Sequence, residues 1–212
     1  MRKPPLSWHR ALTRPKTLLS IAVLVGSTFA SFALNELIQW LYPDRPIVPD
    51  LLFTLLPEVR ALGFVSEPFV FVSIVLLLWY MFRHDRRHLP FYFFTVGIGY
   101  ALRSVLIVLT PLGRPTGAID TSGAAILLGI RQYGMFPSGH TMLVAAIFFL
   151  IDGKRHPGFK WATGLACVAE MIVLLLCRGH YSIDIVGGVA LAYLVVVTWM
   201  ARYKERFRLV GD

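Results

Sequence analysis

LLSIAVLVGSTFASFALNELIQWL, residues 18–41, is an apolar run long enough to cross a bilayer as a single helix. Hydrophobic residues make up 56% of the 212-residue chain, which is too apolar for an ordinary soluble domain. Basic residues precede the run, as they do in a secretory signal peptide, but the run is longer than the apolar region of such a peptide. We therefore expect a retained spanning helix in a polytopic membrane protein.

Five further apolar runs have spanning or near-spanning length. They lie at residues 67–82, 90–110, 139–151, 161–177 and 183–201. The run at 139–151 is short, and it becomes adequate if its helix begins near Phe136 or continues toward Lys154. The sequence thus predicts an all-α integral membrane protein, with one domain of six transmembrane helices over residues 1–212.

Basic residues are unevenly distributed among the connecting segments. Fifteen of the 21 Lys and Arg residues lie in segments 1–16, 83–89, 152–160 and 202–212, whereas the alternate connectors hold five. The positive-inside rule then places both termini in the cytoplasm. This asymmetry accounts for the formal net charge of +9 without nucleic acid, which we do not expect as a partner.

Two polar motifs stand on the predicted non-cytoplasmic side. MFPSGHT at 135–141 opens the fourth span, and RGHYSID at 178–184 opens the sixth. His180 and Asp184 are spaced i, i+4, so a helix would bring them within hydrogen-bonding reach on one face. A carboxylate on one imidazole nitrogen fixes the tautomer and leaves the other nitrogen free as a nucleophile or base.

The first motif has the features of a phosphate site. Ser138, Gly139 and His140 stand at a helix N-terminus, where free backbone N–H groups and positive potential favour an anion. Arginine can bind two phosphate oxygens at once. The expected substrate-contacting residues are Arg103, Ser138, Gly139, Arg178 and Tyr181, although Tyr181 also fits an interfacial aromatic belt.

Together these groups predict phosphoryl or phosphodiester transfer. His180 would attack phosphorus in line, and protonated His140 would donate to the departing oxygen. A phosphohistidine intermediate would then pass to water or to an alcohol. Because cationic donors take the place of a metal ion, the arrangement requires neither metal nor cofactor.

Charged residues inside the spans also call for partners. Arg103 and Glu170 lie about 10 Å below the predicted outer surface, and Glu36 lies about 8 Å below it. Since intramembrane charges are normally paired or cavity-facing, we expect Arg103 to contact Glu170 or Glu36, in a functional or purely structural pair. Asp50 and Glu170 are candidate contacts for a head group or acceptor, although a solvated loop charge is the simpler interpretation of Asp50.

SGHT (138–141) with HYSID (180–184) resembles the type 2 phosphatidic acid phosphatase (PAP2) superfamily, six-helix membrane enzymes that use a phosphohistidine. The resemblance implies that His140 protonates the leaving group, that His180 is the nucleophile and that Asp184 orients it.

Two positions depart from the phosphatase pattern. Ile107 stands where that pattern has a Lys ahead of Arg114-Pro115, and Leu174 stands where it has an Arg six residues before the nucleophile. Other segments resemble the sphingomyelin synthase branch, namely Pro49-Asp50 through Pro57, the pair Arg86-Arg87, and Tyr100 with Arg103.

The branch resemblance implies transfer of a phospho-head group from a glycerophospholipid to a lipid alcohol. The predicted donor is a membrane phospholipid, the predicted acceptor is water or a lipid alcohol, and the oligomeric state is not predicted. The Arg-rich outer mouth slightly favours an anionic or neutral head group over choline.

Three other classes stay open. A lipid phosphate phosphatase acting on phosphatidic acid or an isoprenyl phosphate would use the same histidines. An intramembrane serine protease using Ser138 and His180 would have Gly where Phe136 stands, and a transporter would not need the SGH motif. The compact chain points to a bacterial inner membrane, with the site at the outer leaflet interface facing the periplasm.

Overall fold

The structure is a computed structural model that describes residues 8–118 and 134–209. Parts of the predicted cytoplasmic ends, 1–7 and 210–212, therefore lie outside the described residues. The described helices are α1 (Trp8–Leu12), α2 (Pro15–Leu41), α3 (Leu51–Leu55), α4 (Gly63–His84), α5 (Leu89–Leu109), α6 (Gly139–Leu150), α7 (Pro157–Leu176) and α8 (Ser182–Tyr193). Single 3-10 turns, Arg60–Leu62 and Arg86–His88, lead into α4 and α5, and α8 continues as a π-helical segment (Leu194–Trp199) and a 3-10 segment (Met200–Phe207).

The chain is an integral membrane protein by the length and composition of its helices. Within the described ranges, five helical stretches are long and apolar enough to cross a bilayer: Pro15–Leu41, Arg60–His84, Arg86–Leu109, Pro157–Leu176 and Ser182–Phe207. The remaining apolar helix, α6, has only 12 residues and is about 18 Å long, against a hydrocarbon core of about 30 Å. Neither extension considered for this helix is present, because it begins at Gly139 and ends at Leu150.

Local sequence sets where the helices begin. Proline stands in the first turn of α2, α5 and α7, where its missing N–H costs no hydrogen bond. Ser138 caps α6 by accepting from the Thr141 backbone N–H at 3.3 Å, and Asp50 caps α3 by accepting from the Leu52 N–H at 2.9 Å.

Contacts sort the helix ends into two groups. The C-terminal halves of α2 and α5 approach each other through Ser31 and Arg103. At the opposite end, Lys16 at the start of α2 donates to the backbone carbonyl of Arg206. His140 and His180 belong to the first group, because Arg103 donates to the Pro137 carbonyl just before α6, and α6 and α8 start beside each other.

Close helix crossings rest on glycine. In the α2–α5 pair, a Cβ on Gly97 would lie 2.9 Å from the Leu24 Cα, so only glycine allows these backbones to come so close. In the α6–α8 pair, a Cβ on Gly188 would lie 2.8 Å from the Ser138 carbonyl oxygen and 3.0 Å from the Met142 nitrogen. The second crossing fixes the start of α6 against α8.

Candidate active site

Two histidines meet where α6 and α8 begin. The ring centroids of His140 and His180 are 6.2 Å apart, and the ring planes are inclined by 62°. Both side chains are buried, with 8% and 4% of their surfaces exposed. Two imidazoles at this separation can flank one tetrahedral phosphorus centre, one on each side.

Short-range packing holds the two histidines in this position. The Ser138 backbone N–H donates to the Asp184 carbonyl at 3.0 Å, which ties the residue before α6 to the first turn of α8. Gly187 packs against the Phe136 ring, where a Cβ would lie only 2.5 Å from that ring. The small size of Gly187 and Gly188 therefore lets the Pro137–Gly139 turn pack directly against α8, which fixes His140 relative to His180.

His180 is oriented by Asp184. Its Nδ1 lies 3.2 Å from the Asp184 Oδ2, which also accepts from the Tyr181 backbone N–H at 3.0 Å. Burial lowers the pKa of His180 below its ordinary value of 6.5, although the Asp184 carboxylate opposes this shift. The imidazole is therefore neutral at pH 7, with Nδ1–H donated to Asp184 and Nε2 left with its lone pair.

His140 has an acidic neighbour that the sequence reasoning missed. Its Nε2 lies 3.4 Å from the Glu67 Oε1, and its Nδ1 has no partner in the described part of the chain. The Glu67 side chain is 39% exposed, so it borders the site rather than the core. A usable signal existed, because Glu67 is an acid in the first turns of a spanning helix, at the same end of the bundle as the motifs.

Arg103 does not form either of the expected ion pairs. Its Nε donates to the Pro137 carbonyl at 3.0 Å and its Nη1 to the Ser31 hydroxyl at 3.0 Å. A carbonyl-lined pocket thus accommodates the guanidinium in place of the carboxylates of Glu170 or Glu36. A pattern of charges alone could not reveal these backbone partners.

Position 139 must be glycine for Arg103 to take up its position. A Cβ at Gly139 would lie 2.9 Å from the Arg103 Nε and 3.0 Å from its Cζ. The guanidinium is 3% exposed and lies against the backbone of the SGH turn, where it adds positive potential at the start of α6. Ser138 is fully buried and serves as the helix cap, as its bond to Thr141 shows.

Glu170 is a buried acid beside the site. Its Oε1 accepts from the Ser66 hydroxyl at 2.6 Å, and its Oε2 has no partner among residues 8–118 and 134–209. Ser66 directly precedes Glu67, so α4 carries one contact to Glu170 and one to His140.

Arg178 fastens a folded segment over the site. Its Nη2 donates to the carbonyl oxygens of Phe53 at 2.6 Å and Leu56 at 3.0 Å, and its guanidinium lies 4.2 Å from the Phe53 ring centre. The backbone φ of Arg178 is +58°, a left-handed conformation that costs an L-residue about 1 kcal/mol. Nη1 is buried and has no partner within the described ranges.

Asp50 and Tyr181 complete the attachment of the same segment. The Asp50 carboxylate accepts from the Ser182 backbone N–H at 2.5 Å and from its hydroxyl at 3.1 Å, beyond its role as the α3 cap. The Tyr181 ring stacks on Phe53 with centroids 5.8 Å apart, and its hydroxyl accepts from the Val48 N–H at 3.4 Å. Both residues hold the 48–56 segment at the start of α8.

The described residues contain no group of three His, Cys, Asp or Glu side chains arranged to hold a metal ion. The arrangement instead offers a neutral imidazole oriented by a carboxylate, a second imidazole beside an acid, and a guanidinium behind the connecting turn. These are the parts needed for nucleophilic attack on phosphorus with proton transfer to a leaving oxygen.

Comparison with known proteins identifies the same region. The profile of the PAP2 superfamily C-terminal family matches residues 135–202, which contain both histidines. Phosphatidylcholine:ceramide cholinephosphotransferase 2 of Caenorhabditis elegans is 32% identical, over 93% of this chain and 67% of the relative.

Two further nematode proteins are similar over less of their length. The putative phosphatidylcholine:ceramide cholinephosphotransferase 3 is 26% identical over 73% of this chain and 54% of its own length. Phosphatidylcholine:ceramide cholinephosphotransferase 1 is 25% identical over 81% of this chain and 43% of its own length. The chain spans about half the length of these two relatives. With the match at the histidine motifs and the 32% identity over most of this chain, the chain belongs to the PAP2 superfamily, in its sphingomyelin synthase-like branch.

Proposed function

We propose that this protein transfers the phosphorylated head group of a membrane phospholipid to a lipid alcohol through a phosphohistidine on His180. The 6.2 Å separation of the His140 and His180 rings carries this proposal, because it leaves room for one phosphorus centre between a nucleophile and a proton donor. The Asp184 contact to Nδ1 supports the assignment of His180 as the nucleophile, since it directs the Nε2 lone pair away from the carboxylate.

In the first step, the His180 Nε2 attacks the phosphodiester phosphorus and forms a P–N bond. The bond from phosphorus to the diacylglycerol oxygen breaks, and that oxygen receives a proton from protonated His140. The Nδ1 of His140 is the candidate donor atom, because its Nε2 is directed to Glu67. Diacylglycerol leaves as a neutral alcohol.

In the second step, the acceptor hydroxyl attacks the phosphorus of the phosphohistidine. His140, now neutral, takes the hydroxyl proton, and the P–N bond breaks to return His180 to its starting state. The Glu67 carboxylate lies beside the His140 Nε2, so it can accept a hydrogen bond from that nitrogen and leave Nδ1 for the reacting oxygen. Arg103 contributes by fixing the turn before His140 and by its positive charge.

The head group that fits best is a zwitterionic one. Arg103 and Arg178 donate to backbone carbonyls, so the two arginines no longer favour an anionic head group. Glu67 adds an exposed acid at the same end of the bundle. The relatives named for phosphatidylcholine and ceramide make this pair the first donor and acceptor to test.

The phosphatase and protease alternatives are less well supported. Ile107 and Leu174, which replace two cations of the phosphatase pattern, are fully buried apolar residues. Ser138 is fully buried and caps a helix, a poor setting for a serine that must attack a peptide bond.

We further propose that the site faces the non-cytoplasmic side, with both termini in the cytoplasm, because the bias of basic residues predicts this orientation. The expectation of a bacterial inner membrane has no support in the described residues. The relatives reported above come from a nematode and give this expectation no support.

A transfer assay tests the proposed function. Purified protein in vesicles would be given phosphatidylcholine labelled in its head group, with and without ceramide. We expect labelled ceramide phosphocholine and free diacylglycerol from the wild type, and loss of both by a factor of about 10³ or more in His180→Gln.

The matched control is His156→Gln, since His156 lies at the opposite end of the bundle. Its turnover should stay near that of the wild type. Release of inorganic phosphate from phosphatidic acid, with no head-group transfer under any acceptor condition, would overturn the proposal in favour of a phosphatase.

A further inference from the structure

A cavity lies at the opposite end of the bundle from the histidines. It has a volume of about 580 Å³, within the range of sites that bind small ligands. Its walls come from the start of α2, from α5 and from the segments that follow α8. The residues that carry the argument are Lys16, Leu19, Phe94, Trp199, Tyr203 and Arg206.

Two cationic side chains, Lys16 and Arg206, line this cavity. The Lys16 ammonium group is held by the backbone carbonyl of Arg206 at 3.2 Å. The Arg206 guanidinium lies 5.1 Å from the centre of the Tyr203 ring. Neither cation has a carboxylate within 4 Å in the part of the chain that the structure describes, and the nearby Glu205 is engaged with His88 and Arg208.

The remaining walls are apolar and aromatic. Leu19 is 65% exposed and Trp199 is 44% exposed, so both present apolar surface that the described residues leave uncovered. Two cationic side chains together with apolar walls complement a molecule with an anionic phosphate and a hydrocarbon chain. Basic pockets between spanning helices are known to favour anionic lipid head groups.

The backbone after α8 changes its helix type next to the cavity. Leu194–Trp199 is π-helical and Met200–Phe207 is a 3-10 segment, so the regular α-helix ends at Tyr193, six residues before the first cavity residue of this segment, Trp199. π-Helical turns are rare, and they are frequent at functional sites. Here the change in helical winding sets the direction in which Trp199, Tyr203 and Arg206 project.

We propose that this cavity binds one anionic phospholipid, with its phosphate between Lys16 and Arg206 and an acyl chain along Leu19 and Phe94. This site is distinct from the histidine site, because the two belong to opposite groups of helix ends. By the predicted orientation it would draw its lipid from the cytoplasmic leaflet. Binding there would join the start of α2 to the segment after α8.

Native mass spectrometry of the purified chain tests the proposal. The protein would be titrated with phosphatidylglycerol or phosphatidylcholine of the same acyl chains, and the bound fraction measured. We expect one phosphatidylglycerol to bind at least about tenfold more tightly than phosphatidylcholine, and the double variant Lys16→Gln with Arg206→Gln to lose this preference. Both side chains are exposed, so the variant should fold, and its melting temperature is measured alongside.

The matched control, Lys154→Gln with Arg202→Gln, removes two exposed cations that do not line the cavity. It should keep the preference for phosphatidylglycerol. Equal loss in both double variants would show a diffuse charge effect and overturn the site. Displacement of the bound lipid by millimolar inorganic phosphate would show that the phosphate alone is recognised, and it would likewise overturn the proposal of a lipid.

Discussion

At the scale of single residues, the two histidines differ in their acidic neighbours. The carboxylate of Asp184 is fully buried and lies one helical turn from His180, whereas the Glu67 side chain is 39% exposed and comes from another helix. The buried acid fixes one tautomer of His180. The exposed acid is in contact with solvent-accessible surface, which suits the proton transfer that we propose for His140.

Replacement of Glu67 by Gln should lower kcat by about 10- to 100-fold, because the imidazole of His140 loses the carboxylate acceptor beside its Nε2 and is oriented less firmly. Steady-state transfer rates would measure the effect. Glu36→Gln removes an exposed acid of α2 and should leave kcat unchanged; equal loss in the two variants would contradict the assignment.

The lowered pKa of His180 also predicts how kcat/KM depends on pH. Because burial lowers this pKa, the acid limb of kcat/KM should have its midpoint below pH 6.5. Asp184 raises the pKa of His180, so Asp184→Asn should move the acid limb to still lower pH while the plateau falls by about 100-fold or more.

Kinetics of the wild type, Asp184→Asn and the exposed-loop control Asp44→Asn would test this. Melting temperatures would show whether the variants remain folded. A wild-type acid limb above pH 6.5, or a limb that stays in place in a folded Asp184→Asn variant, would show that another group controls the rate.

Several site residues follow from the sequence and several do not. The i, i+4 spacing predicts that His180 reaches Asp184, because helix geometry alone determines that distance. The partner of Arg103 depends on which backbone carbonyls a distant turn exposes, and no side-chain pattern encodes them. Glu67 was overlooked because it stands at the first position of a predicted apolar run, where a charge looks like a boundary.

At the scale of elements, α6 is the unusual member of the bundle. It is about 12 Å shorter than the hydrocarbon core. A helix of this length cannot reach both surfaces of the hydrocarbon core. The position of its N-terminus, and of His140, is set by the close crossing with α8 that Gly187 and Gly188 allow.

Gly188→Ala should separate α6 from α8, because the new Cβ would contact two backbone groups that cannot move aside as side chains do. We expect a loss of about 1 to 3 kcal/mol in the free energy of unfolding, and a large loss of transfer activity. Thermal unfolding in detergent would measure the first effect.

Gly26→Ala is the matched control, because no neighbouring group packs within 4 Å of the position that a Cβ would take there. Alanine at this position should leave stability unchanged or raise it slightly, by helix propensity. Equal stability and activity in the two variants would contradict the close crossing.

Apolar periodicity predicted where the long helices lie, because a spanning segment must satisfy its backbone internally and needs a long apolar run. It did not predict α3 or the attachment of residues 48–56 over the start of α8. That segment is held by Arg178, Asp50 and Tyr181, which the sequence reasoning assigned to the substrate. Polar residues near a motif look alike in sequence whether they bind a ligand or a neighbouring loop.

At the scale of the whole molecule, a polar network joins the C-terminal segment to the α4–α5 connector. Asp85 accepts from His88 at 2.6 Å, from Tyr92 at 2.5 Å and from Lys204 at 2.8 Å. Burial alone would raise the pKa of Asp85, but these donors outweigh burial and lower the pKa from 3.8 to about 2. The ionised carboxylate therefore stabilises the fold above about pH 4, and this contribution disappears as the pH falls through about 2.

Asp85→Asn should lower the free energy of unfolding by about 2 kcal/mol at pH 7. The difference from the wild type should shrink to about half at pH 3, as the unfolded carboxylate becomes protonated. Unfolding curves at pH 7, 5 and 3 would measure it, and a difference independent of pH would contradict the network. Head-group transfer should be little changed, because Asp85 lies at the end opposite to the histidines.

His180 is proposed to carry the phosphorylated head group between donor and acceptor. Mass spectrometry of peptides, after rapid quenching of the protein with phosphatidylcholine in the absence of acceptor, would detect the covalent adduct itself. We expect the mass of phosphocholine on His180, stable to alkali, lost in acid, and removed when ceramide is added before quenching. Turnover without any adduct on His180, or an adduct on another residue that ceramide discharges, would contradict this role.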